Sequence, residues 1–298
     1  MLQHLRSWFI SLPATIRGGL WIILAGIFFT FIGVMIRMAN KEVHVLEIVF
    51  FRYFISLIIM VPWMARRGLS GLKGKNLPVL FARSLSSYIG AIFWFASMIY
   101  LPLAEATALG YTAPLFATLG PVLFLDEVVG NRRWWALAVG FIGTLIILRP
   151  GIDTITLPAL YAIGGAIFIA NSVLLVKILN RTESAETIVL YMGIFSTPLS
   201  FGVAIFFWKT PSFETLFWLI GIGIFSTLAH LAYTRSFAIA DASAVLPFDY
   251  IRILMVAAVG FGVYGEIPDI WTWAGTIVII SSALYIARRE AIVVNKIK

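Results

Sequence analysis

Ten apolar runs, each about as long as a bilayer is thick, dominate this chain and limit what it can fold into. A helix needs roughly 20 apolar residues to cross the hydrocarbon layer. Runs of that kind occupy residues 18–38, 46–64, 79–100, 104–125, 133–150, 157–179, 186–207, 213–236, 242–265 and 269–287. Turn and charge signals separate them, among them Asn40-Lys41-Glu42, Pro102, Pro150-Gly151, Lys209 to Pro211 and Pro268-Asp269. The stretches 79–125 and 213–265 are each too long for one crossing and divide at short links. Only 12% of the 298 residues are charged, against roughly 25% in soluble domains. That is too little to cover a water-facing globule, whereas lipid tolerates an apolar exterior.

The charges that remain are unevenly placed. With the N-terminus in the cytoplasm, thirteen Lys and Arg fall in inner segments and three (Lys41, Arg149, Lys209) in outer ones. The positive-inside bias therefore puts both termini in the cytoplasm. This distribution also explains the net charge of +8 without nucleic acid. Residues 1–17 read as a short cytoplasmic segment and not as a cleaved leader, because Arg17 runs straight into the first span. Residues 289–298 read as a cytoplasmic tail.

The chain also repeats. Residues 19–53 align with 159–193 at an offset of 140, pairing Arg37 with Lys177, Asn40 with Asn180 and Lys41 with Arg181. Ala104-Glu105-Ala106-Thr107-Ala108-Leu109 aligns with Ala240-Asp241-Ala242-Ser243-Ala244-Val245 at an offset of 136. Glu127 meets Glu266, and each precedes a Trp by seven residues, Trp134 and Trp273. Five spans repeat, covering 18–150 and 157–288. Five is odd, so the second copy must be inverted with respect to the first. The expected fold is an all-α membrane protein with ten transmembrane helices in two inverted five-helix repeats, a recurrent plan for secondary transporters.

Enzyme and metal chemistry find little support. There are no cysteines, and His4, His44 and His230 show no ligand spacing. No phosphate loop or nucleophile elbow occurs, so no cofactor, metal or catalytic residue is expected.

Four stretches carry a family resemblance: LAEATALGYTAPLF (103–116), LDEVVGNRRWWALAVGFIGTLIILRPG (125–151), IADASAVLPFDYIRIL (239–254) and YGEIPDIWTWAGTIVIISSALYIARRE (264–290). With Phe51-Arg52, they make the chain resemble the drug/metabolite transporter superfamily in its EamA-type branch, over about residues 18–290. The resemblance implies a bacterial inner-membrane transporter of a small-molecule solute, with a central cavity lined by spans 1, 3, 4, 6, 8 and 9. It implies an amino-acid-like, S-adenosylmethionine-like or riboflavin-like cargo. Transport would proceed by alternating access, driven by a proton or by exchange.

Ionisable groups at bilayer depth cost roughly 2.5–3.5 kcal/mol on insertion scales and mark candidate sites. Asp249 and Arg252 lie three apart in span nine and can pair. Their first-repeat counterparts are Ala113 and Phe116, so only one half carries charge. Two readings follow, cargo or coupling-ion chemistry and a structural ion pair. Tyr250 lies between these two residues. Tyr111, His230, Trp94, Asn171 and Tyr233 are further candidates for lining the cavity, with packing or interhelical hydrogen bonding as the alternative role. Pro114 and Pro247 are expected to kink spans four and nine. Arg52 is expected to pair with an acid or reach the interface. Arg37, Lys177, Arg83 and Arg235 are expected to snorkel from span ends. Glu127 and Glu266 read as structural helix-entry residues. Trp63, Trp134, Trp208 and Trp271 read as interfacial anchors. A competing function is a membrane-embedded enzyme or lipid-handling protein using Asp249 and Arg252.

Overall fold

A computed structural model describes residues 12–67, 74–113, 115–116, 131–148, 156–240, 245 and 248–297. Among these residues the chain is helical, without strands. The helices are α1 (Ala14–Ala39), α2 (Val45–Arg67), α3 (Leu77–Tyr100), α4 (Leu103–Gly110), α5 (Asn131–Leu148), α6 (Leu157–Leu179), α7 (Ala185–Ala204), α8 (Phe213–Ile239), α9 (Ile251–Tyr264) and α10 (Ile270–Ile297). A short 3-10 turn, Ile205–Phe207, extends α7.

Among the described residues six helices, α1, α2, α3, α6, α7 and α8, are long and apolar enough to cross a membrane. Shorter apolar helices occupy 138–148, 251–264 and 270–282. The expected span 104–125 is described only in its first half, and its remainder lies outside the described residues. Local chemistry sets several ends. The Asn76, Ser184 and Ser212 side chains accept the backbone N–H three residues on, capping α3, α7 and α8. Gly265, at φ 68°, closes α9 in the left-handed conformation that glycine tolerates.

The helices pair in a pattern that fixes the symmetry. α1 packs along α8, and α3 along α6. α2 packs on α7, α5 on α10, and α4 on α9. Exchanging each helix for its repeat equivalent, five places on, maps this set onto itself. Direction completes the argument. In the α2–α7 contact Phe50 meets Phe201 while Gly193 meets Leu57, so these equivalent helices run antiparallel. In the α5–α10 contact Gly140 faces Ser282 and Gly275 faces Ile147, again antiparallel. Equivalent helices that oppose one another establish the inverted repeat. α2 and α7 also each carry an internal proline, Pro62 and Pro198, four residues apart in the repeat register.

Small residues permit the closest approaches. A Cβ added to Gly275 would lie 2.6 Å from the Gly143 carbonyl oxygen, so α5 and α10 touch backbone to backbone. On α1, Leu20, Leu24, Ile27 and Phe31 form an exposed apolar stripe, while Ile22, Ala25, Ile32 and Ile36 are buried on the other side. Such a stripe is stable against lipid, and the chain is an integral membrane protein. Trp134, Trp208 and Trp271 are exposed at helix ends.

Two carboxylates repeat one clamp at opposite ends of the bundle. Glu42, in the α1–α2 link, accepts hydrogen bonds from the Ser212 N–H and hydroxyl and from the Thr215 hydroxyl at the start of α8. Glu183, in the α6–α7 link, accepts from the Lys75 and Asn76 N–H groups before α3.

Candidate functional site

α9 and the part of α4 that is described meet where both depart from regular helix. Thr112 follows Tyr111 in a turn, and Tyr250 occupies a turn just before α9. The Tyr111 hydroxyl donates to the Asp249 carbonyl oxygen at 2.9 Å. The Tyr111 and Tyr250 rings stand edge to face, 5.1 Å apart. Each repeat therefore braces the other at its irregular point.

Asp249 and Arg252 form a buried ion pair, with Oδ2 to Nη2 at 3.0 Å. The pair does not exhaust its own hydrogen bonding, because Asp249 Oδ1 and Arg252 Nε are buried without a partner. Unsatisfied buried polar atoms are uncommon and call for a reason. The Arg252 guanidinium lies over two aromatic faces, Phe29 at 5.6 Å and Tyr111 at 5.5 Å. A small, partly open crevice lies beside Arg252 between α1, α3, α4 and α9. Trp94, Phe29 and Thr107 contribute to its wall. The wall is apolar and aromatic with one charged corner, the usual make-up of a small-molecule site.

The other expected residues divide. Trp94 lines the cavity and packs its ring on Gly110. Tyr233 sits edge-on to Phe29 at 6.5 Å, one layer behind the wall. His230 also meets Phe29, at 5.6 Å, but its Nε2 lies 2.6 Å from Arg52 Nη2. Asn171 donates to Ser86 Oγ at 2.6 Å, tying α6 to α3, and does not line this cavity. Pro114 and Pro247 lie outside the described residues, as does Glu127. Lys177 is exposed near the end of α6.

Three arginines depart from expectation. Arg37 does not snorkel. Its guanidinium donates to the Met98 and Leu101 carbonyls and pairs with Glu266 at 2.5 Å. Glu266 Oε2 in turn accepts the Leu103 N–H at 2.9 Å. The α3–α4 link leaves carbonyls unsatisfied at this depth, and Arg37 meets them. Arg83 does not snorkel either; it is 2% exposed. Arg52 reaches neither an acid among the described residues nor the interface. It donates to the Tyr53 hydroxyl at 2.9 Å and contacts His230. Arg235 does remain partly exposed while pairing with Glu186 at 2.6 Å.

Phe29, Thr30, Gly33, Met98 and Thr107 line the cavity although sequence reasoning did not single them out. Nothing in their type distinguishes them. The two threonines satisfy their hydroxyls locally, on Gly26 and Leu103 carbonyls, and so read as ordinary helix residues.

The profile of the EamA-like transporter family matches residues 16–149 and again 156–288. The riboflavin transporter of Vibrio cholerae is 32% identical over 280 residues, covering 92% of this chain and 94% of its own. The S-adenosylmethionine uptake transporter of Rickettsia prowazekii is 29% identical over 280 residues, covering 94% and 95%. A protein of known crystal structure, 16% identical, superposes with a TM-score of 0.65 over 91% of this chain and 98% of its own, which shows a shared fold.

Proposed function

Because the chain belongs to the EamA-like transporter family, we propose that it carries a riboflavin-like solute, with the planar ring held beside the Asp249–Arg252 pair. The observation that carries this reading is the aromatic enclosure of that pair by Phe29 and Tyr111, with Trp94 on the same cavity wall. Flat heteroaromatic rings stack on such faces, and aromatic contacts of this kind are worth about 0.5–1.5 kcal/mol each beyond burial. Asp249 Oδ1 and Arg252 Nε supply one acceptor and one donor for the polar edge of a ring. In this conformation the crevice has room for about one water molecule, so the ring is admitted only when the helices part. Entry and exit then require the α1–α9 and α4–α9 contacts to part on one side at a time.

S-adenosylmethionine is the second candidate, supported by the Rickettsia relative. It also presents a planar ring, but its sulfonium cation would meet a region already rich in buried arginine. Asp249 is the proposed seat of any coupling proton. Residues 18–150 and 157–288 act as the two moving repeats, with 1–17, 289–298 and both termini in the cytoplasm of a bacterial cell, on the thirteen-to-three cation bias.

The test is riboflavin flux into liposomes containing the purified protein. Saturable uptake above empty liposomes supports the reading. Chemical conversion of the vitamin without flux would overturn it in favour of a membrane-embedded enzyme.

A further inference from the structure

A second cluster of charge lies in the interior, behind Phe29 and away from the Asp249–Arg252 pair. Arg52 on α2 is 5% exposed and Arg83 on α3 is 2% exposed. Neither has a carboxylate partner among the described residues, where the acids Asp249, Glu266 and Glu186 are taken by Arg252, Arg37 and Arg235. Arg83 Nε and Nη1 are buried with no acceptor at all. Ser87, one turn beyond Arg83 on α3, meets the Tyr53 hydroxyl that Arg52 holds, and His230 Nε2 lies 2.6 Å from Arg52 Nη2.

The neutral neighbours are hydroxyls with donors to spare. The Tyr53 hydroxyl takes the Arg52 hydrogen bond and lies 3.3 Å from Ser87 Oγ. The Tyr88 ring stands 6.4 Å from Tyr53, and its hydroxyl is buried without a partner. Ser56 Oγ, one turn beyond Arg52 on α2, is likewise unpartnered. Two cations and several hydroxyls, with no anion among them, form an incomplete set. Placing an unpaired charge in a low-dielectric interior is costly, and a pair of like charges more so. An arginine fork matches the oxygens of a carboxylate or phosphate group.

We propose that Arg52 and Arg83, with the Tyr88 hydroxyl, bind an oxyanion, a carboxylate or phosphate group, in the α2–α3–α8 interior. Phe29 separates this site from the main cavity, since its ring touches His230 on one side and the Arg252 guanidinium on the other. An oxyanion attached to ring-bearing cargo reaches Arg52 when Phe29 turns aside. A free oxyanion enters by the same path. The site itself stands on the unpartnered arginines, and only its link to cargo rests on the flavin reading.

The experiment is thermal unfolding of the full chain in nanodiscs, titrated with inorganic phosphate against sodium chloride of equal ionic strength, then with flavin mononucleotide against riboflavin. Phosphate alone should raise the melting temperature if the oxyanion is free. Flavin mononucleotide should do so more strongly than riboflavin if the oxyanion is borne by cargo. In either case Arg83→Gln and Arg52→Gln should weaken the apparent affinity by at least about tenfold. Arg83→Lys, which keeps the charge, and Arg235→Gln, which removes an arginine already paired elsewhere, should retain the response. Arg83→Gln should fold at least as stably as the parent without oxyanion, because it removes an unpaired buried charge. The site is refuted if neither phosphate nor flavin mononucleotide gives a shift beyond its control, or if the shift survives both glutamine substitutions. Equal shifts from riboflavin and its phosphate, with none from phosphate, would leave the flavin reading intact and remove the oxyanion site.

Discussion

The Tyr111 hydroxyl of one repeat donates to the Asp249 carbonyl oxygen of the other across 2.9 Å. This bond joins the irregular end of α4 to the start of α9 and holds the Asp249 backbone beside the cavity. A net hydrogen bond of this kind is worth about 0.5–1.5 kcal/mol. Tyr111→Phe keeps the ring contacts to Tyr250 and Arg252 and removes the hydroxyl that makes that bond. Flux in liposomes should fall several-fold, up to about tenfold, with little loss of purified protein. Unchanged flux would remove Tyr111 from the working site.

Asp249→Asn keeps the size of the side chain and removes its charge. Arg252 is then left buried without its partner at 3.0 Å. Breaking a buried pair from one side costs about 3–5 kcal/mol in soluble proteins. Transport should be lost while insertion persists, as judged by expression and by a monodisperse elution profile. Wild-type flux from a correctly inserted Asp249→Asn protein would reduce the pair to a structural role.

The α5–α10 contact offers a test of packing. Gly275→Ala would drive its Cβ to 2.6 Å from the Gly143 carbonyl oxygen, a backbone atom, as well as against the Ile147 side chain. Overpacking of this kind costs about 1–3 kcal/mol. Gly202→Ala meets nothing within 4 Å and serves as the matched control. Melting temperatures should fall for the first and hold or rise for the second, since alanine favours helix by about 1 kcal/mol over glycine.

Acid should release the Glu42 clamp. Hydrogen bonds from Ser212 and Thr215 hold this carboxyl below its ordinary value near 4.5. A depressed carboxylate stabilises the fold above its unfolded value, and that contribution disappears as pH drops through the lower folded one. Glu42→Gln should therefore melt earlier than the parent at neutral pH, with the difference closing progressively as the pH drops below 4.5. An equal difference at both pH values would remove ionisation from the explanation.

Much of this architecture is legible in the chain before any coordinates. Apolar length placed all ten helices, because each span must satisfy its backbone internally and announces itself by composition. The repeat offset announced the inversion, which the opposed α2 and α7 then display. Azimuth is what the sequence conceals. Arg83 lies only six residues into α3, a depth from which a long side chain can reach water. Its buried position depends on which neighbours cover that face of the helix. Arg37 is the same case, since the carbonyls of Met98 and Leu101 become available only through the fold of the α3–α4 link. Phe29 was hidden among many phenylalanines, and its importance comes from standing between two charged groups.

The matched clamps at Glu42 and Glu183 sit at opposite ends of antiparallel equivalents. Glu42 and Glu183 stand one residue apart in the repeat register, yet each latches the start of the third helix of the other repeat, one at each end of the bundle. Loosening Glu42 favours a gap at its own rim, and loosening Glu183 favours a gap at the other. The resting bias of such a carrier is then a difference in strength between two separately built latches, and a change in either alone can reset which compartment it faces.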